Sequence, residues 1–196
     1  MKRLCKILPV LFFALLATVT VKAQDVNFGV RGSASLVNFY GDDADDAKTK
    51  MGYQLGAFAE FKLSDAFAIQ PELVFSKEGS KDDKADLPWN LSYINVPVMA
   101  KVYVTEGLNL QAGPQIGFLV GANVDGESKL GDVEVKDSFK STNFSMNIGA
   151  GYDITEKIGV DLRYNFGLTK VGEEPEQGDA ADTKSSNILL GVSFKF

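Results

Sequence analysis

The chain has 196 residues, with 26 Asp and Glu against 20 Lys and Arg, no histidine and a single cysteine, Cys5. This length suits one domain, and the acidic balance argues against nucleic-acid binding, which needs a basic face for phosphate contacts. Without histidine, serines such as Ser33 and Ser145 lack the usual general base of a nucleophilic enzyme. We therefore expect no enzyme, no cofactor and no metal centre.

Residues 1–23 have the pattern of a cleaved secretory signal. Three basic residues precede an apolar core over 7–19, and small or aliphatic residues stand at the −3 and −1 positions of a cleavage site that ends at Ala23. The core is too short for a transmembrane helix. We expect the mature domain to occupy 24–196 and to begin at Gln24. Cleavage would remove four basic residues and no acidic one, which takes the formal net charge from −6 to −10.

Eight stretches of the mature chain alternate apolar and polar residues with a period of two, which indicates β-strands. They span 26–36, 51–63, 67–77, 94–104, 108–120, 142–154, 157–169 and 186–196. Strands of about nine to eleven residues are what a tilted strand needs to cross a bilayer, whereas strands in soluble domains are usually shorter. No stretch has a convincing helical period.

The connections between these stretches alternate in length. Short turns fall at 64–66, 105–107 and 155–156, and long polar segments fall near 38–50, 78–90, 125–141 and 170–185. Short turns on one side and long loops on the other are typical of outer-membrane barrels. The sequence thus predicts an all-β fold, an eight-stranded antiparallel up-and-down transmembrane β-barrel. Pro71, Pro97 and Pro114 each remove a ladder donor, so we expect bulges or register defects there.

The apolar phase of the strands, which includes Val98, Leu162 and Leu190, is predicted to face lipid, and the polar phase to face the lumen. The alternative is a soluble eight-stranded barrel with an apolar interior. The polar phase carries charges of both signs, and buried charges are tolerated only when they are paired. We therefore predict a lumenal charge network formed by Arg31, Glu60, Glu72, Lys101, Asp161 and Arg163.

The predicted function follows from the width of the barrel and from its loops. Eight strands leave an interior just wide enough for side chains, which predicts a filled lumen; a narrow passive channel is the alternative. Acidic residues far outnumber lysines in the four long segments. These segments form either a solvated surface or one that binds divalent cations, lipopolysaccharide or a partner protein. A structural or surface-interaction role is the prediction.

Five short motifs carry a family resemblance: residues 69–73 (IQPEL), 93–97 (YINVP), 113–117 (GPQIG), 149–152 (GAGY) and 163–168 (RYNFGL). With them, essentially the whole mature chain resembles the small "porin family" or PorT-like outer-membrane β-barrel domain of Gram-negative bacteria. The resemblance implies the cell outer membrane, with its lipid and lipopolysaccharide as surroundings. It also implies, as an alternative role, a component of an envelope secretion or assembly system.

The C-terminal run that ends in Phe194 and Phe196 is similar to the signal read by the barrel-assembly machinery. This similarity implies delivery by periplasmic chaperones and insertion by that machinery.

Overall fold

The structure is a computed structural model that describes residues 26–40, 47–48, 50–82, 88–124, 133–134, 141–169 and 184–196. The predicted signal, its cleavage point at Ala23 and Gln24, and the centres of the long polar segments lie outside these residues. The described residues form strands and turns, and none of them is helical. Accordingly, the described part of the chain has no helix long and apolar enough to cross a membrane.

Eight long strands form the fold. They are β1 (Val26–Tyr40), β2 (Lys50–Ser64), β3 (Phe67–Asp82), β4 (Pro88–Tyr103), β5 (Leu108–Val124), β6 (Thr142–Asp153), β7 (Ile158–Gly167) and β8 (Lys184–Lys195). Two further strands of two residues each, Ala47–Lys48 and Val133–Glu134, pair with the far ends of β3 and β5.

Each long strand pairs antiparallel with its neighbours in sequence, and β8 returns to pair with β1. The closing ladder is continuous from Gly29, opposite Lys195, to Tyr40, opposite Lys184. The result is a closed eight-stranded up-and-down barrel, which confirms the predicted fold. Closure matters in lipid because every backbone N–H and C=O needs a partner there, and an open sheet edge would leave a row without one.

The strands are longer on the loop side than the alternation predicts. β3 continues to Asp82 and β4 begins at Pro88, and the two pair throughout this extension, with Glu78 opposite Leu91. The prediction of a long loop at 78–90 is therefore wrong for most of that segment. Beyond Phe75 the sequence runs SKEGSKD and no longer alternates apolar and polar residues, so hydropathy stops marking the strand although backbone pairing continues.

The proline-rich region of the sheet has interrupted ladders but keeps its register. Val96 and Pro97 have no ladder partner on β3, and Val98 and Met99 have none on β5, while the register is the same before and after each gap. The prediction of register defects at the three prolines is therefore wrong. Two register shifts do occur, near the end of β2 and near residue 92 of β4. A proline removes a backbone hydrogen-bond donor but adds no residue to the strand. It therefore interrupts the ladder without shifting the register.

The two faces of the barrel have opposite character. Outward side chains are apolar and open to the surroundings: Leu110, Leu162 and Leu190 are 52%, 56% and 64% exposed. Inward side chains are mostly polar or charged and buried, such as Glu60 at 0%. A soluble barrel with an apolar interior has the reverse arrangement. The apolar band therefore faces outward, as predicted, and the core of the molecule is its polar lumen.

Candidate functional site: the barrel lumen

The middle of the lumen holds a chain of four charges from three strands. Arg31 of β1 donates through Nε and Nη2 to the two carboxylate oxygens of Asp161 on β7, at 2.9 and 2.5 Å. Arg163 of β7 donates through Nη1 and Nη2 to the carboxylate of Glu72 on β3, at 3.0 and 2.8 Å. Arg163 Nε lies 3.1 Å from Asp161 Oδ1, an ion-pair contact without hydrogen-bond alignment. Both forked pairs have the bidentate geometry in which arginine binds carboxylates most strongly, and the four charges sum to zero.

A glycine lets the first of these pairs form. In the β8 ladders Gly191 lies opposite Ser33 on one side and Asp161 on the other. A Cβ at Gly191 would stand 2.5 Å from Arg31 Nη2 and 2.7 Å from Asp161 Oδ2. The guanidinium of Arg31 can therefore reach across β8 only because this position has no side chain.

A second network lies nearer the short turns. Glu60 accepts hydrogen bonds from Lys101 Nζ at 2.8 Å and from Lys195 Nζ at 3.1 Å. Lys195 Nζ also donates to Asp153 Oδ2 at 2.9 Å. The hydroxyl of Tyr103 lies 3.2 Å from Glu60 Oε2 and 3.3 Å from Asp153 Oδ2. Two lysines and two carboxylates again sum to zero, so each network is neutral by itself.

The structure places all six predicted network residues in the lumen, four in the middle network and two near the turns. The residues that the prediction left out are Lys195, Asp153 and Tyr103. Lys195 lies on the polar phase of the last strand, so the alternation of apolar and polar residues could have identified it as an inward-facing charge. Asp153 shares the polar phase of Ser145 and Asn147, but it stands beside a short turn, where a charged residue is ordinarily exposed, and its phase does not identify its partner.

Little space remains between the two networks. A cavity of about 10 Å³ lies there, lined by residues of both networks together with Gln70 and Gln111. The side-chain oxygens of these two glutamines are buried and have no hydrogen-bond partner. A space of this size holds about one water molecule, and the two oxygens are acceptors that such a water would satisfy.

The turn side of the barrel opens into a wider space. A cavity of about 620 Å³ is lined by the three short turns, and Lys62, Tyr103 and Asp153 also contribute to its wall. Lys62 shares the polar phase of its strand, but its side chain is exposed at this rim rather than buried in the lumen. Tyr103 and Asp153 connect the wall of this cavity to the turn-side network.

Among the described residues, the loop side of the lumen is polar and mostly neutral. Asn165 Nδ2 donates to Ser145 Oγ at 2.9 Å and to Asn147 Oδ1 at 3.0 Å, and Asn147 Nδ2 donates to Gln115 Oε1 at 3.1 Å. These bonds run between β5, β6 and β7. Amide side chains both donate and accept, so neutral hydrogen bonds connect these three strands.

An apolar patch on the inner wall of β4 and β5 interrupts this polar lining. It consists of the buried side chains of Leu91, Tyr93, Leu119 and Ala122. Leu119 and Ala122 are three residues apart, yet both face inward because the register shift near residue 92 falls between them. A strict period of two does not predict that pair.

The predicted assembly signal lies at the turn end of the closing strands. Phe194 and Phe196 are 41% and 71% exposed. Their ring centroids are 5.9 Å apart in an edge-to-face arrangement. The backbone N–H of Phe196 donates to the carbonyl of Phe28 at 2.9 Å, which ties the C-terminus to β1.

Within the described residues, no group of three or more His, Cys, Asp and Glu side chains is placed so that it could hold a metal ion.

A closed antiparallel barrel with an apolar outer surface and a charged, filled interior defines the class of small transmembrane β-barrels. The chain belongs to the family of the outer membrane protein beta-barrel domain, whose model matches residues 22–173. No curated protein matches the chain.

Solved structures of outer-membrane proteins resemble the barrel. Neisserial surface protein A is 16% identical, with a TM-score of 0.60 over 86% of this chain and 97% of that protein. Ail, the attachment invasion locus protein of Yersinia pestis, is 13% identical, with a TM-score of 0.54 over 88% of this chain and 99% of that protein. At these identities the likeness concerns the fold.

Proposed function

We propose that this protein is a non-enzymatic outer-membrane barrel whose lumen is closed by its own side chains, and that it acts through its structure and its extracellular surface. The two neutral ion-pair networks that fill the middle and the turn side of the lumen are the observation that carries this proposal. Family membership supports the outer-membrane location.

The networks favour a plug over a pore. An ion crossing this lumen would have to separate bidentate arginine–carboxylate pairs, and breaking a buried pair costs about 3–5 kcal/mol. The cavity of about 10 Å³ between the networks is too small for an ion that keeps its hydration shell. A narrow passive channel therefore stands as the less favoured alternative.

The charge of the long segments limits what the outer surface can bind. Ail was solved in complex with the heparin analogue sucrose octasulfate, a polyanion. In this chain acidic residues far outnumber lysines in the long segments, and like charges repel an anionic ligand. We propose that this surface binds lipopolysaccharide phosphates through bridging divalent cations, or binds a cationic partner.

Other partners are also proposals. The exposed rings of Phe194 and Phe196 at the turn end of β8 are where we propose that the barrel-assembly machinery acts, after delivery by periplasmic chaperones. The PorT-like assignment stays a prediction from five motifs, as does a part in a secretion or assembly system.

Purification from native outer membranes tests the surface role. We expect lipopolysaccharide to copurify in the presence of Mg²⁺ and to be released by a chelator, because carboxylates need a divalent cation between them and phosphates. A variant with the four aspartates of segment 41–46 changed to Asn serves as the charge control and should retain less lipopolysaccharide.

If neither the chelator nor the substitutions reduce the amount of lipopolysaccharide retained, binding through bridging cations is contradicted. A stoichiometric envelope protein in the same preparation would instead favour the assembly component.

A further inference from the structure

Glu78 is a buried carboxylate that, unlike the other buried carboxylates of the lumen, has no ion-pair partner among the described side chains. It faces inward near the loop end of β3 and is 8% exposed. Glu60, Glu72, Asp153 and Asp161 each form an ion pair with a lysine or arginine. Among the described side chains, none forms an ion pair with Glu78. Its hydrogen-bond partners are neutral: Ser76 Oγ, at 3.1 Å, and the side chain of Asn187.

Two buried oxygens at the same end of the lumen as Glu78 have no hydrogen-bond partner. They are Asn187 Oδ1 and Ser35 Oγ, and both side chains are 2% exposed. Asn187 bonds to Glu78 through its amide nitrogen, since only that atom can donate, and its oxygen remains for another ligand. Buried acceptors in native structures normally have a partner. Two such oxygens, at the same end of the lumen as a carboxylate that has no ion-pair partner among the described side chains, therefore point to a bound group.

The absence of a side chain at Gly52 brings Ser35 to this place. Gly52 lies opposite Ser35 in the β1–β2 ladder. A Cβ at Gly52 would stand 2.7 Å from Ser35 Oγ and 2.5 Å from the carbonyl oxygen of Lys77, the residue before Glu78. The hydroxyl of Ser35 therefore occupies the space over Gly52, next to β3.

The hydrogen bonds leave acceptor capacity on Ser76 as well. Its hydroxyl donates to Glu78 and accepts from Asn95 Nδ2 at 2.9 Å. A hydroxyl has one donor and two lone pairs, so one lone pair of Ser76 remains. The cluster thus presents a carboxylate, an amide oxygen and two hydroxyl oxygens, a ligand set that hard cations prefer.

We propose that Glu78, Asn187, Ser35 and Ser76 form a binding site for a small monovalent cation, Na⁺, at the loop end of the lumen. The cluster has one formal negative charge, which a single monovalent ion neutralises. Calcium sites generally use several carboxylates, and this cluster has one. Na⁺ would arrive from the extracellular side, because the ion-pair networks lie between this site and the turns. The site does not depend on whether the lumen conducts.

Thermal unfolding of the purified barrel in detergent tests the site. We expect the wild-type Tm to be higher in NaCl than in N-methyl-D-glucamine chloride at equal ionic strength, and to rise with Na⁺ concentration. Glu78→Gln keeps the size of the side chain and removes the charge, and it should abolish this difference. Glu106→Gln changes an exposed turn residue and should leave the difference intact.

Ser35→Ala is the second variant, since it retains the carboxylate even if Glu78→Gln fails to fold. We expect it to raise the Na⁺ concentration at half effect about tenfold, the lower end of what loss of a supporting group costs a metal site. Equal wild-type Tm values in the two salts would overturn the site, and so would a Na⁺ effect that persists in Glu78→Gln. Ca²⁺ stabilising through Glu78 at concentrations where Na⁺ does nothing would overturn the monovalent assignment.

Discussion

At Gly191, a missing side chain brings Arg31 and Asp161 together across β8. We predict that Gly191→Ala forces this ion pair apart, because the added methyl would stand 2.5 Å from Arg31 Nη2. Arg31 would lose its carboxylate partner, and Asp161 would keep only its contact with Arg163. The free energy of unfolding should therefore fall by about 3–5 kcal/mol. Denaturant unfolding in detergent or lipid measures this.

Gly121→Ala is the matched control for that substitution. Gly121 is also a strand glycine, but a Cβ there would meet only the side chain of Ser92, at 3.7 Å or more, an ordinary contact. We expect the control to change stability little. Equal losses in the two variants would show that the cost comes from strand glycines in general rather than from the Arg31–Asp161 pair.

Strand β4 has interrupted backbone pairing in the middle of the barrel. Residues 96–99 each have a ladder partner on one side only, whereas residues 161–165 of β7 have partners on both sides. We predict faster amide hydrogen exchange at Val96, Val98 and Met99 than in that part of β7, because exchange follows local opening. NMR in lipid nanodiscs measures both sets.

Pro97→Ala supplies the control for β4. It returns a backbone donor to the strand, and we expect exchange at the neighbouring amides of Val96 and Val98 to slow. Uniform protection along β4 and β7 in the wild-type barrel would contradict this account of the proline region.

At the level of elements, the sequence predicts the strands where one face meets an apolar surrounding. Every membrane-crossing stretch alternates because its outer side chains are apolar and its inner ones are polar. The loop-side ends of β3 and β4 are not predicted in this way, because the sequence there no longer alternates apolar and polar residues. The bulge that turns both Leu119 and Ala122 inward is likewise invisible to a strict period of two.

The lumen illustrates a second limit of prediction from sequence. The period-two alternation identifies which charged residues face inward, but it does not identify which of them form ion pairs with each other. Arg31 contacts Asp161 because the stagger of β1, β8 and β7 brings the two side chains to the same height and because Gly191 leaves space between them. The stagger and the position of Gly191 both result from pairing between strands that are distant in sequence. Asp153 and Lys195 join the turn-side network for the same reason.

The molecule as a whole separates its charges by location. The lumenal networks are neutral, the outer wall is apolar, and the excess of acidic residues falls in the long polar segments of the sequence. This distribution agrees with the proposed function, in which the apolar wall holds the barrel in lipid, the interior closes it and the outer surface makes the contacts.

Planar-bilayer conductance tests the central claim, closure of the lumen by ion pairs, most directly. The wild-type barrel should show no steady current. A double variant, Glu72→Ala with Arg163→Ala, removes both members of one bidentate pair and should pass small ions, because it empties the middle of the lumen and leaves Asp161 neutralised by Arg31. A wild-type barrel that conducts steadily, or a double variant as tight as the wild type, would contradict closure by these networks.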